Sequence, residues 1–558
     1  MSQSMLRLRS FNHRGFPAAA MLVLAIVFFA KPASSRRADM APQGRRPTFR
    51  ASSRLKGRPD VARFRARADA ALAAAGAQHA FWGVLIADRD SGDTLYELNA
   101  DRFFTPASNA KIFTTALALA TLGPAYQFHT TLESNGALGA DGRLAGDLIL
   151  VGRGDPDLSN RKFPYVGKAE RDGPVEKVLA QLADAAVAKG LKEVDGDIVG
   201  DDSFFPYDPY PAGWSVGDLF FTFGAPVSAI SFNDNSLSIN VLPGARIGDP
   251  AVLVVEPAAA AQSFSQDVRT VASGDAPDFS VVRQAGSYFI LLRGSIPLGH
   301  GPIELDLAMT DPADAAARAL KQLLEARSVR ITGSVRVQHA PPPQTVASGL
   351  PPAPPAIPPA APAAHLTVLA EHLSPPLLED VRLTNKVSQN LHAELLLRAA
   401  ARQKWGVGST DAGLAVERTF LASAGIAEND VVLSDGSGLS RDDLVTPRAV
   451  AQLLRYAAKQ PWGQEFISTF PIAGVDGTLE DRMKRTPASG LIQAKTGSLE
   501  HVHSISGYAT TLRGEYLVFS IFGNNDAEPG HNATAALDAI CTAMVQTLGT
   551  KSPGRKYK

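Results

Sequence analysis

The chain has 558 residues, including 55 lysines and arginines, 55 aspartates and glutamates, and one cysteine. This length exceeds what a single hydrophobic core usually serves, so two or three domains are expected. The balanced charge argues against a nucleic-acid-binding protein, and a lone cysteine excludes an internal disulfide or a multi-cysteine metal site.

The N-terminus has the pattern of a secretory signal over residues 1–35. Three arginines within the first 14 residues precede an uncharged run at 17–30, and small residues at 33–35 suit a signal peptidase. The uncharged run is shorter than the roughly 20 residues of a membrane-spanning helix. An uncleaved anchor is the alternative. Both interpretations place the working domains outside the cytoplasmic membrane, with the periplasm as the predicted location.

Residues 36–59 form a basic segment with few large apolar side chains. It is interpreted as a solvated linker. Weak contact with an anionic membrane surface is the alternative, which needs more assumptions. A first catalytic part is predicted at 60–126. It begins with a helix, continues with a β-hairpin at 81–98 and ends with an apolar helix.

Short strands alternate with helices over residues 127–340, with helices predicted at 175–189 and 314–327. This texture predicts one or two accessory α+β domains inserted into the catalytic domain. Residues 341–363 are dominated by Pro and Ala, which favours an extended, semi-rigid linker.

A second catalytic part is predicted at 364–550, followed by a basic tail at 551–558. This second catalytic part contains one helical region at 377–402 and a loop at 471–479 that leads into a helix. Three strands and a C-terminal helix follow. The fold class is therefore predicted as multi-domain α+β, with an antiparallel sheet flanked by helices in the catalytic domain.

The helix after Pro106 carries the first chemical motif. Ser108 and Lys111 are three positions apart, which places them on one face of the first helical turn. A hydroxyl beside an amine is the arrangement of an activated serine nucleophile whose base is a neutral lysine. A second cation nearby lowers the pKa of the base, and Lys495 is the predicted cation.

Two further clusters supply the other requirements of serine acyl transfer. Lys495 and Thr496 can hold a substrate carboxylate, and Gly497 allows close approach of a backbone. The backbone N–H groups of Ser108 and Ser498 are the predicted oxyanion hole. Two more side chains complete the site: Ser388 as a proton relay to the leaving amine, and Asn390 as a hydrogen-bond partner of Lys111 and the substrate amide.

The order Ser-x-x-Lys, Ser-x-Asn and Lys-Thr-Gly resembles the penicillin-recognising serine acyltransferases. The long separation between the first two motifs is similar to that of the class C low-molecular-mass penicillin-binding proteins. Loops such as 435–439 and 474–478 strengthen the likeness, which spans roughly Phe81 to Val545.

The resemblance implies a serine-type D-alanyl-D-alanine carboxypeptidase, in a family that often doubles as D,D-endopeptidases. Its substrates would be peptidoglycan stem peptides, and β-lactam antibiotics would be covalent inhibitors acylating Ser108. No metal or organic cofactor is implied. Two alternatives stay open: a β-lactamase or esterase on the same scaffold, and a non-catalytic wall-binding protein.

Lys-Thr-Gly occurs once, but Ser-x-x-Lys and Ser-x-Asn also occur elsewhere, so context decides which copy of those two matters. Other copies begin at Ser10, Ser53, Ser159, Ser231 and Ser238. The pair His501 and His503 lacks a supporting carboxylate or cysteine and is interpreted as rim or surface residues rather than a metal site. The group that activates water for deacylation is not identifiable from the sequence.

Overall fold

The computed structural model describes residues 58–74, 76–283, 289–342, 366–527 and 532–550. The α-helices in these ranges are α1 (Pro59–Leu72), α2 (Lys111–Leu122), α3 (Lys177–Ala188), α4 (Pro312–Glu325), α5 (Leu377–Val387), α6 (Asn390–Trp405), α7 (Thr410–Ser423), α8 (Pro447–Ala457), α9 (Gly463–Ser468) and α10 (Asn532–Thr547).

The strands of the first half are β1 (Phe81–Asp88), β2 (Thr94–Leu98), β3 (His129–Ser134), β4 (Arg143–Leu144), β5 (Leu148–Val151), β6 (Glu193–Val194), β7 (Ile198–Pro206), β8 (Ser236–Leu242), β9 (Val252–Glu256), β10 (Phe264–Val271) and β11 (Asp278–Arg283). Those of the second half are β12 (Ile290–Pro297), β13 (Ile303–Ala308), β14 (Arg330–Ile331), β15 (Val335–Ala340), β16 (Thr367–Leu373), β17 (Val431–Val432), β18 (Leu444–Val445), β19 (Ile492–Leu499), β20 (Val502–Thr510) and β21 (Tyr516–Asn524).

The sheet that carries the site joins strands from the first and last parts of the described chain. Its strand order is β19-β20-β21-β1-β2, and every neighbouring pair is antiparallel. Helices α1 and α10 pack on one face, and α2 and α8 pack on the other. Both faces are therefore buried, which explains why β1 is apolar almost throughout instead of alternating. The predicted α+β fold class, with helices flanking an antiparallel sheet, is confirmed.

A second five-stranded sheet has the order β15-β7-β5-β3-β16 and mixes parallel and antiparallel pairs. Strand β3 of this sheet is the first strand after α2 in the chain. Strand β16, which lies beyond the Pro/Ala run, pairs with β3 and precedes α5. Helices α3 and α4 contribute to the core of this region. Three smaller three-stranded sheets complete the segment between β3 and β16.

Two expectations about helices are wrong. The helical region predicted at 377–402 is two helices, because Ser388 adopts a left-handed conformation with φ of 64° and ends α5. Gln389 then caps α6, with its side chain accepting a hydrogen bond from the Leu391 backbone. The loop at 471–479 leads into a short 3₁₀ turn at Gly477–Leu479 and no α-helix before β19.

Within the described ranges, no helix is both long and apolar enough to cross a membrane. The predicted signal segment at 1–35, residues 36–57 of the basic linker, residues 343–363 of the Pro/Ala run and the tail at 551–558 lie outside those ranges. Cys541 is a free, buried side chain of the core beneath α10, as expected for a small apolar residue.

Candidate active site

Ser108 lies in a 3₁₀ turn, Ala107–Ala110, that leads directly into α2. The turn begins with Ala107 at φ of 49°, a left-handed conformation that costs a non-glycine residue energy and that surrounding structure must hold in place. Asn109 helps to hold the turn in place, because its Nδ2 donates to Ser504 Oγ on β20 at 2.7 Å. The turn is thus fastened to the sheet, and Ser108 is more exposed than its buried neighbours.

Lys111 begins α2, and its buried amine contacts three oxygens. Its Nζ lies 2.9 Å from Ser108 Oγ, 2.6 Å from Asn390 Oδ1 and 2.6 Å from the carbonyl oxygen of Ser437. The amide and backbone carbonyl oxygens can only accept hydrogen bonds. A neutral amine therefore donates its two hydrogens to them, and its lone pair is left facing the Ser108 hydroxyl.

Burial lowers the pKa of Lys111 to about 7, because the side chain is fully enclosed and water cannot stabilise the ammonium form. The charges of Asp435, Glu394 and Asp443 act in the opposite direction. From the motif alone, the charge of Lys495 was expected to lower this pKa. The structure assigns it to desolvation, and the repulsion between the two lysines lowers the pKa of Lys495 instead.

Ser388 and Lys495 form the second half of the site. The Nζ of Lys495 lies 2.9 Å from Ser388 Oγ and donates to the carbonyl of Thr496 at 2.7 Å. Burial is the larger cause that lowers the pKa of Lys495 well below its usual value, and the positive charge of Lys111 adds to it. The break between α5 and α6 puts Ser388 at this point.

Gly497 shows how closely β19 approaches the nucleophile. A Cβ added to it would lie 2.6 Å from the Pro106 carbonyl oxygen and 3.0 Å from the Ser108 backbone nitrogen. No side chain fits there without displacing the turn. Thr496 shares a hydrogen bond with Thr478 at 2.7 Å, and Ser498 is exposed at the end of the strand.

The five residues predicted as catalytic therefore lie in two hydrogen-bonded groups, which Asn109 connects. Ser108, Lys111 and Asn390 are joined through the Lys111 amine, and Ser388 is joined to Lys495. The Asn109 amide also lies 3.3 Å from the Lys495 carbonyl oxygen, which ties the nucleophile turn to β19. Asn390 contacts Lys111 as expected, and its Nδ2 also donates to the Phe223 carbonyl at 2.8 Å, while its contact with a substrate amide stays a prediction.

Several residues of this cluster were not identified from the sequence. Asp435 receives six hydrogen bonds from its own loop and from Trp214, and so organises the loop whose Ser437 carbonyl contacts Lys111. Its Gly-rich surroundings had indicated only a turn. A Cβ on Gly438 would lie 1.9 Å from the Ala107 carbonyl oxygen, so this loop also supports the nucleophile turn.

The two histidines differ in their exposure to solvent. His501 is partly exposed beside β20, whereas His503 is buried and lies 3.6 Å from Asp526, so its interpretation as a rim or surface residue is wrong. In the part of the chain that the structure describes, no cluster of three or more His, Cys, Asp or Glu side chains could hold a metal ion.

The chain is similar in sequence to known proteins of one family. The D-Ala-D-Ala carboxypeptidase 3 (S13) family model matches residues 65–350 and 357–544. A D-alanyl-D-alanine carboxypeptidase of Actinomadura sp. (strain R39) is 32% identical over 87% of this chain and 85% of its own length. The D-alanyl-D-alanine carboxypeptidase DacB of Haemophilus influenzae is 30% identical over 79% of this chain and 85% of its own.

Solved structures show the same relationship. The crystal structure of penicillin binding protein 4 (dacB) from Haemophilus influenzae superposes with a TM-score of 0.70 at 28% identity, covering 84% of this chain and 96% of that one. A second structure of that protein, complexed with a β-lactam, has a TM-score of 0.66 at 26% identity, covering 86% and 98%. The chain therefore belongs to the D-Ala-D-Ala carboxypeptidase 3 (S13) family of serine peptidases.

Proposed function

We propose that Ser108 is the nucleophile and Lys111 its general base in cleaving the D-alanyl-D-alanine end of peptidoglycan stem peptides. The observation that carries the proposal is the placement of the Lys111 amine. Its two hydrogens are directed to carbonyl oxygens at 2.6 Å, and Ser108 Oγ is its third neighbour at 2.9 Å. A pKa of about 7 leaves a substantial fraction of this amine neutral at neutral pH.

In the acylation step, Ser108 Oγ attacks the carbonyl carbon of the penultimate D-alanine while its proton moves to Lys111. The backbone N–H groups of Ser108 and Ser498 would stabilise the oxyanion of the tetrahedral intermediate. The C–N bond then breaks, and the proton held by Lys111 passes through Ser388 to the leaving amine, which restores the neutral base. Water hydrolyses the resulting ester, which releases the shortened peptide and restores the hydroxyl of Ser108.

Lys495 and Thr496 would bind the C-terminal carboxylate of the substrate. The lowered pKa of Lys495 favours its neutral form in the free enzyme. An arriving carboxylate favours the ammonium form, so the ion pair would form as substrate binds. Replacement of Lys495 by Ala should therefore weaken substrate recognition more than it affects the chemistry.

A β-lactam would acylate the same serine, because its strained amide takes the place of the D-alanyl-D-alanine bond. The amine it releases stays attached to the acyl group and blocks the approach of water, so deacylation would be slow. A cross-linking amine as leaving group would make the reaction an endopeptidase cleavage. Both reactions use the same acyl-enzyme.

The proposed place of action is the periplasm, reached through the N-terminal signal over 1–35. The basic segment at 36–59 would tether the folded part and contact the membrane surface weakly at most. This location suits an enzyme whose substrate is a wall polymer. Support comes from the arginine-rich start of the chain and the uncharged run that follows it.

The direct test is release of D-alanine from a peptidoglycan pentapeptide, measured beside cleavage of a cross-linked muropeptide. The full chain should release D-alanine, and Ser108→Ala should abolish both this release and covalent labelling by a fluorescent penicillin. Circular dichroism should show that the variant is folded. Persistent labelling of Ser108→Ala would show that the nucleophile lies elsewhere. Rapid turnover of the penicillin would favour a β-lactamase.

A further inference from the structure

The 207–227 loop, which follows β7 and is part of the predicted inserted region, reaches the site from outside the three motifs. We propose that this loop positions the amine of Lys111 for proton abstraction, through the indole of Trp214 and the backbone carbonyl of Phe223. The inference rests on the proposed function, because it concerns the base of that reaction. It makes the insert a working part of the catalytic centre.

The first connection runs through Asn390. Its Nδ2 donates to the Phe223 carbonyl at 2.8 Å, and its Oδ1 accepts from Lys111 at 2.6 Å. A carbonyl oxygen can only accept a hydrogen bond, so the amide nitrogen must face Phe223. The carbonyl of the loop therefore determines which end of the Asn390 amide is turned towards Lys111.

The second connection runs through Asp435. The Nε1 of Trp214 donates to Asp435 Oδ2 at 2.8 Å, a hydrogen bond between an indole and a buried carboxylate. The same carboxylate accepts from the backbone nitrogens of Ser437 at 3.2 Å and Gly438 at 2.6 Å. These bonds hold the turn in which the Ser437 carbonyl faces Lys111.

The loop is held against this turn by its backbone as well as by Trp214. The Arg441 nitrogen donates to the Gly213 carbonyl at 3.3 Å. A Cβ on Gly213, whose φ is 80°, would lie 2.1 Å from Ser440 Oγ. Such close backbone packing leaves Trp214 little freedom to swing away from Asp435.

The two connections converge on the two carbonyl oxygens that receive the Lys111 hydrogens. Since those acceptors set the direction of the lone pair, a shift in either one turns the lone pair away from Ser108 Oγ. The charged groups that act on Lys111 are Asp435, Glu394 and Asp443, and Lys111 in turn acts on Lys495. Trp214 acts on Asp435, because its N–H partly offsets the negative charge of that carboxylate.

The experiment measures the rate constant of acylation by a fluorescent penicillin, from about pH 5 to about pH 9, in Trp214→Phe of the full chain. We expect the plateau rate to fall about tenfold, because the lone pair is misdirected. The acid limb of the profile should move to higher pH, because an Asp435 charge that is less offset favours the ammonium form of Lys111. Trp214→His, which keeps a ring N–H, should recover part of both changes.

Trp82→Phe is the matched control. Its Nε1 donates to the Ala77 carbonyl at 2.9 Å, and no described hydrogen bond of its side chain leads to Lys111. It should lower the melting temperature without moving the acid limb. If Trp214→Phe matches wild type or Trp82→Phe in rate and profile, the inference is wrong although Ser108→Ala still shows no labelling. Labelling of Ser108→Ala would overturn the proposed function itself.

Discussion

At Lys111, burial and neighbouring carboxylates act on the pKa in opposite directions. Desolvation lowers the pKa because the ammonium loses its water, whereas Asp435, Glu394 and Asp443 raise it. The balance lies at about 7, where a lysine can exist as a free base in neutral solution. Helix α2 and the 434–440 loop together produce this balance, since one carries the amine and the other encloses it.

The titration of Lys111 predicts the pH dependence of acylation. Only the neutral amine can accept the Ser108 proton, so the rate should rise as pH passes through about 7 and level off above it. The measurement is the second-order rate of penicillin acylation as a function of pH. A rate that is constant from about pH 5 to about pH 9 would contradict Lys111 as the base.

Gly497 provides a second prediction at this scale. Gly497→Ala should slow acylation about 100-fold, because the added methyl group would displace the nucleophile turn by collision with the Pro106 carbonyl. The acylation rate and the melting temperature of the variant are measured together. Gly301→Ala is the control, since a Cβ there meets no atom within 4 Å. Equal rates in the two variants would refute the close approach.

At the scale of elements, the break between α5 and α6 is the feature that forms the site. The left-handed backbone of Ser388 lowers the stability of the fold. It lets the Ser388 hydroxyl contact Lys495, and it lets α6 start at Asn390, whose side chain contacts Lys111. An uninterrupted helix would turn the two side chains to different faces. The strain at Ser388 therefore serves the geometry of the site.

Ser388→Gly separates this strain from function. Glycine adopts the left-handed region without the steric cost of a side chain, so the variant should be about 1 kcal/mol more stable than wild type. Release of D-alanine should fall about 100-fold, because the hydroxyl proposed to relay the proton is lost. Thermal unfolding and D-alanine assays measure the two effects.

Ser328→Gly is the matched control for that experiment. Ser328 also has a positive φ, of 63°, but it is exposed just after α4. It should become more stable without any loss of activity. Full activity in Ser388→Gly would show that its hydroxyl takes no part in the reaction.

At the scale of the whole molecule, carboxyl groups are buried beneath the site and within the second sheet region. Burial raises the pKa of Glu394 and Glu417 to about 8 and that of Asp155 to about 7. In the folded protein each group keeps its proton up to its raised pKa. In the unfolded chain it loses the proton above its ordinary pKa. Their contribution to stability is therefore full below about pH 4 and is lost as pH rises towards 7 or 8.

Glu417→Gln tests this dependence away from the reacting groups. The amide cannot ionise, so the variant should gain stability relative to wild type as pH rises from about 4.5 to about 8. The gain is a few kcal/mol at most, because each pKa unit corresponds to about 1.4 kcal/mol. Urea unfolding at both pH values measures it. Glu428→Gln, which removes an exposed carboxylate, should leave the slope unchanged; an equal slope for Glu417→Gln would refute the effect.

The sequence alone determined the order of the three motifs and the helix that carries the first of them. Three local patterns show this: an apolar run after Ser108, a stop at Gly123, and a strand that contains Lys495, Thr496 and Gly497. Local periodicity is what a sequence displays directly. The antiparallel sheet followed from the same kind of signal.

Only the tertiary structure decided which groups surround Lys111. The Ser437 carbonyl, far from Lys111 along the chain, contacts it directly. Trp214 and Phe223, also far away in sequence, contact Asp435 and Asn390, which lie beside it. The same packing assigns the lowered pKa to burial instead of a second cation and breaks the helix at Ser388. Burial and long-range hydrogen bonds depend on the whole fold, so no spacing of residues in the sequence reveals them.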